Sequence, residues 1–186
     1  MRDGALMMNN RCFEIIVNSL SIVPASVRYG FLIVFCIGTI LLFLLFGPRK
    51  ALKYSAGFFL IEYLIFLFIL TVLAREVQSE RTFNFTPFWS YRSLIEGNKY
   101  YLPQAILNVI TFIPVGVLLG SVYRNIKWYT VLATCASLSI VIETLQFVLK
   151  LGFTEFDDLF HNILGGLLGD GVYLVIVRVL DSFIKR

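Results

Sequence analysis

Between Glu143 and Asp170 the chain reads ETLQFVLKLGFTEFDDLFHNILGGLLGD. Glu143, Gln146, Glu155, Asp157, Asp158, His161 and Asn162 all fall in this stretch. Carboxylates and an imidazole exchange protons or attract cations, and the two amides can orient a hydrogen-bonding ligand. They stand where two strongly apolar runs meet. Ionisable groups are costly at membrane depth, so their presence there marks a candidate functional site.

The elements that must position them are transmembrane. Of 186 residues, 58% are hydrophobic and 15% charged, and the mean hydropathy is +0.81. A soluble domain is nearer half apolar and about a quarter charged. The net charge of +4 is small and dispersed, which gives no nucleic-acid surface. Anionic lipid headgroups are the expected counter-charge, so membrane lipids are the expected partners. Cys12, Cys36 and Cys135 are too few and too scattered for a disulfide framework.

The sequence predicts an all-α, polytopic helical bundle of about five spans: Tyr29 to Phe46, Ser55 to Ala74, Gln104 to Tyr123, Trp128 to Leu149 and Leu159 to Leu180. Residues 1–27 are expected to form an interfacial segment, and 28–186 the transmembrane domain. If Phe13 to Val27 also spans, the count is six. Residues 75–103 read as a long polar connection rich in aromatics, suited to the membrane–water interface. The 16 Lys and Arg divide evenly between the two sides. Those of the 47–54 and 124–127 turns lie in very short segments, where the positive-inside rule acts most strongly, so the basic turns are placed inside.

Depth then collects the polar groups. At about 1.5 Å per residue, Asn108 lies about 6 Å, Gln146 about 5 Å and Glu143 about 10 Å below the outer ends of their spans. His161 and Asn162 lie about 3–5 Å down. Glu143 and Gln146 share a helix face, as do Asp158, His161 and Asn162. The latter face runs on through Gly165 and Gly169, and Gly116 and Gly120 offer a matching pair. Such pairs allow close helix contact. The expectation is an outward-opening polar cleft among the last three spans, covered by the 75–103 loop with Arg81 and Asn84. Glu62 and Asp170 stand deeper, at about 10 and 17 Å. Glu62 is expected to pair with a nearby cation or sit protonated.

At these residues the chain resembles the VanZ-like family of small bacterial membrane proteins. Arg81 to Phe88, RTFNFTPF, resembles the family's R-x-x-N-h-x-P-F loop. Asn108 to Gly116, NVITFIPVG, is similar to its N-x-x-x-F-x-P-x-G helix. Glu143 to Gln146 matches E-x-x-Q, and Asp157 to Gly169 matches the acidic pair with its glycine-rich helix. The VanZ-like region is placed at about 81–180. Family members commonly carry an Arg shortly before the acidic pair, where this chain has Gly152, Phe153 and Thr154, with Lys150 nearby.

The resemblance implies a multi-pass protein of the bacterial cytoplasmic membrane, linked in some members to teicoplanin-type glycopeptide resistance. Arg81, Asn84, Asn108, Glu143, Gln146, Asp157, Asp158 and Asn162 are the expected ligand-binding residues. The ligand would be an amphiphile, a glycopeptide or a lipid-linked cell-wall precursor. The alternative is a membrane enzyme acting on a lipid-linked headgroup, with Glu143 or Asp158 as general acid or base. A carrier with Glu62, Glu143 and Asp170 as a relay would need more spans than these, and no internal repeat is present. A divalent metal on Glu143, Asp157, Asp158 and His161 would rest on a single His and no ligand motif, so no metal or cofactor is expected.

Overall fold

The computed structural model describes residues 24–98 and 101–184. The expected interfacial helix within Phe13 to Val23 lies outside the described residues. Five long apolar helices carry the chain back and forth. They are α1 (Ala25–Phe46), α2 (Pro48–Phe68), α4 (Leu102–Val122), α5 (Trp128–Leu149) and α6 (Phe156–Ile184). A short helix α3 (Trp89–Ile95) and two short strands, β1 (Thr82–Asn84) and β2 (Phe153–Glu155), complete the set.

Each turn has a local cause. Gly47 takes a positive φ of 72° and Pro48 opens α2, the residue types suited to a sharp stop and a preset start. Beyond Phe68, α2 loosens into a π-helical turn, Ile69–Leu73. That turn leaves the Thr71 carbonyl free to accept from Gln146 Nε2 at 2.9 Å. At the far end of α5, Lys150 caps the helix in the left-handed conformation, φ 59°.

Helix α6 is central and lies along both α4 and α5. Its contact with α4 is backbone to backbone. A Cβ on Gly165 would meet the Val109 carbonyl, one on Gly169 the Ile113 carbonyl, and one on Gly116 the Gly166 carbonyl. The small-residue faces predicted from sequence thus face each other. Gly166 turns the other way, onto the Cys135 side chain of α5. Around this seam Phe112, Val115, Val131, Cys135 and Ile142 form the buried core. Helix α1 buries no side chain and touches α2 through Phe31–Phe66 and Phe35–Phe59 ring contacts.

Several ends differ from the sequence reading: α1 begins at Ala25, α4 runs Leu102–Val122, α6 reaches Ile184, and α2 begins at Pro48, so Arg49, Lys50 and Lys53 lie in its first turns rather than in a connecting turn. Helix α6 starts at Phe156, so Asp157 and Asp158 occupy its first turn rather than the preceding connection. Carboxylates complement the positive end of the helix dipole there. Residues 75–98 are also no plain connection, because they hold β1 and α3.

The glycine seam makes a test. In Gly169→Val the side chain collides with a carbonyl that cannot move without α4, at a cost of about 1–3 kcal/mol or more. The yield of monodisperse protein falls sharply in size-exclusion chromatography. Gly171, whose Cβ position is open, tolerates alanine with full yield.

Candidate functional site

The polar groups gather at one end, where α5 finishes, β2 follows, α6 begins and α4 starts. Residues 75–98 fold over them as a strap. The strap is zipped along the α5–α6 connection. Gln78 N–H donates to the Lys150 carbonyl at 2.7 Å, and Lys150 Nζ donates to the Ser79 carbonyl at 3.1 Å. Strand β1 pairs in parallel with β2, Thr82 with Phe153 through Asn84 with Glu155.

Asp157 pins the next part. It is fully buried, and its Oδ1 accepts from the Phe88 N–H at 2.6 Å. Its Oδ2 accepts from the Ser90 N–H at 3.0 Å and from Ser90 Oγ. Phe88 precedes α3 with a left-handed φ of 58°. Asp157 therefore caps a helix 70 residues away in sequence and holds a strained residue in place.

Below the strap, Glu143, Glu155 and Asp158 converge. Glu143 Oε2 accepts from the Glu155 N–H at 3.3 Å. Glu155 and Asp158 are almost wholly buried. Burial, with the Asp158 and Asp157 charges behind it, pushes the Glu155 carboxyl up to about 8. At neutral pH it is mostly protonated and can donate as well as accept. The Trp89 indole N–H partly offsets this shift, although it closes no hydrogen bond of good geometry. Arg75 lends Glu143 a positive charge and donates to the Leu151 carbonyl at 3.4 Å.

Asp158 reaches two further groups. Gln104 Nε2 donates to its Oδ2 at 3.4 Å, and His161 Nδ1 stands 4.0 Å from its Oδ1. The other ring nitrogen of His161 is 2.9 Å from the Tyr91 hydroxyl. Burial first, then the Asp157 charge, raises the Tyr91 phenol, which stays protonated. At 4.0 Å from Asp158, His161 Nδ1 closes no hydrogen bond among the described residues, so the His161 ring is bonded only to Tyr91 of the strap. The strap's aromatic rim is Phe88, Tyr91 and Phe160, with Phe83, Phe85 and Phe147 alongside.

The remaining predicted residues are spread around this centre. Asn162 Nδ2 donates to Ser139 Oγ at 2.9 Å, joining α6 to α5. Gln146 joins α5 to the π-helical turn. Each leaves its amide oxygen unpartnered and buried among the described residues. Asn108 stands one turn below Gln104 on α4, half-buried, and its side chain closes no hydrogen bond with the described residues. Arg81 is exposed, its guanidinium 5.9 Å from the Phe147 ring centre. Asn84 Oδ1 accepts from the Thr86 N–H at 2.9 Å and shapes the loop. Glu62 faces α1 across a small apolar cavity with Val27, Phe31 and Val34, and among the described residues neither of its oxygens has a hydrogen-bond partner or a cation, so the expected pairing with a nearby cation is not seen. Asp170 lies against Gly116 of α4. Among the described residues, no group of three His, Cys, Asp or Glu side chains is placed to hold a metal ion.

Sequence reasoning missed Arg75, Ser90, Tyr91 and Gln104. Arg75 takes up the positive charge that the resemblance located just before the acidic pair. Gly152 makes room for it, since a Cβ there would sit 3.1 Å from Arg75 Nη1.

Five apolar spans with a strapped polar end define a multi-pass membrane protein. The family model described as VanZ/LLP1 matches residues 58–178, and the chain belongs to that family. Among curated proteins it is similar to Protein VanZ of Enterococcus faecium, 35% identical over 94 residues. That match covers 50% of this chain and 53% of the relative, so the chain spans about half the length of the relative it matches. No solved structure matches.

The Asp157 clamp is testable. Asp157→Asn puts an amide N–H₂ against donors that need an acceptor. Losing one hydrogen bond to a charged group costs about 1.5–3 kcal/mol, which raises strap opening about 10- to 100-fold. Hydrogen exchange of residues 82–95 rises accordingly while α4–α6 stay protected. Unchanged exchange there would show that the clamp does not hold the strap.

Proposed function

We propose that the protein works at the outer face of the bacterial cytoplasmic membrane and lowers susceptibility to teicoplanin-type glycopeptides. It does so by binding an amphiphilic or lipid-linked ligand at its strapped polar end. The observation that carries this reading is the convergence of Glu143, Glu155 and Asp158 beneath an aromatic strap, beside Arg75, His161 and Tyr91. The Glu143 and Asp158 carboxyl oxygens accept from hydroxyl or amine groups of a headgroup, and protonated Glu155 donates. The exposed rings of Phe83, Phe85 and Phe88 suit an amphiphile at the headgroup level. Family membership supports the link to glycopeptides.

A second reading is favoured by one specific observation, the placing of the His161 ring between the Tyr91 hydroxyl, at 2.9 Å, and the Asp158 carboxyl, at 4.0 Å. It would make the same end a general acid–base centre acting on a lipid-linked headgroup. Isosteric Glu143→Gln separates the two readings. Binding falls up to about tenfold when one hydrogen bond to that carboxyl is weakened, whereas turnover that needs its proton is abolished.

In a sensitive host, expression of the wild type raises the teicoplanin concentration needed for inhibition. Glu143→Gln and Asp158→Asn return it to the empty-vector level while inserting normally, and Gly171→Ala keeps the wild-type value. No wild-type effect would refute the reading.

A further inference from the structure

The opposite end of the bundle holds a cavity of about 1490 Å³, bounded by α1, α2, α4, α5 and α6 and by the turn between α4 and α5. Its walls are apolar, with Phe35, Phe59, Leu118, Val177 and Leu180 among them. Ligand pockets for drug-sized molecules run to roughly 1,000 Å³, so this space suits something longer. An apolar space within the bilayer does not fill with water.

Its mouth has the opposite character. Arg124 and Lys127 stand there on one short turn with Asn125 between them, and among the described residues Asp181 is the one carboxylate on the lining. Lys127 Nζ lies 5.5 Å from the Tyr129 ring centre. Tyr123, Trp128 and Tyr129 are all at least half exposed beside it. Aromatics of this kind sit at headgroup level, so the two cations lie at the depth of lipid phosphates. Apolar walls below and paired cations at phosphate depth match one chemistry, a negatively charged headgroup on acyl chains. The residues involved are separate from the strapped polar end.

We propose that this cavity is a binding site for an anionic phospholipid, with the acyl chains along α2, α4 and α6 and the phosphate against Arg124 and Lys127. The site favours the leaflet that the basic turns face, where anionic lipids concentrate basic segments.

The test uses the purified full chain and native mass spectrometry, with phosphatidylglycerol and phosphatidylethanolamine of identical acyl chains as probes. Wild type retains phosphatidylglycerol preferentially. Arg124→Ser and Lys127→Ser each reduce that preference about fivefold, and together they remove it. Thr134→Trp, which fills the cavity, lowers retention of both lipids. Arg92→Ser, at the other end, changes nothing. Equal retention of the two lipids by wild type overturns the proposal whether or not any variant folds. So does a dimer in which a second copy occupies the cavity in place of lipid.

Discussion

The polar end depends on one carboxylate that has no water to turn to. Asp157 is fully buried, and a carboxyl in that position must be met by donors. The strap supplies them from Phe88 and Ser90. Once those bonds form, the rest is constrained. Phe88 is held left-handed, α3 starts beside α6, Tyr91 meets His161, and the Trp89 indole N–H comes near Glu155.

The bundle itself rests on a different constraint. Lipid gives apolar helices no reason to leave it for each other, so association needs close packing and internal hydrogen bonds. Gly116, Gly165 and Gly169 provide the first between α4 and α6. Asn162 with Ser139 and Gln146 with Thr71 provide the second. This divides the polar residues by role. The two amides tie helices together, Asp157 ties down the strap, and the Glu143, Glu155 and Asp158 carboxyls with His161 keep capacity for another partner.

Much of this was legible in the sequence, for local reasons. Helical span, depth and facing glycines follow from a fixed rise and a fixed period, so α5 was placed at its observed ends, Trp128 and Leu149. The strap was illegible because its bonds join residues about 70 apart, such as Ser90 with Asp157 and Tyr91 with His161. No periodicity marks such pairs. Asn84 and Arg81 carried the family motif yet use their side chains within the loop and on Phe147. Arg75 read as the first residue of the 75–103 connection, and only the fold brings it to Gly152 and Glu143.

A site at the outer face requires the strapped end to face outward and the basic turn between α4 and α5 to face inward. Labelling of intact cells with a membrane-impermeant maleimide tests this directly, with Cys12, Cys36 and Cys135 replaced by alanine and one cysteine introduced at a time. Ser79→Cys, in the exposed strap, should label from outside, and Asn125→Cys, in the basic turn, only after permeabilisation. The reverse pattern would put the carboxyl cluster in the cytoplasm and contradict an outer-face site.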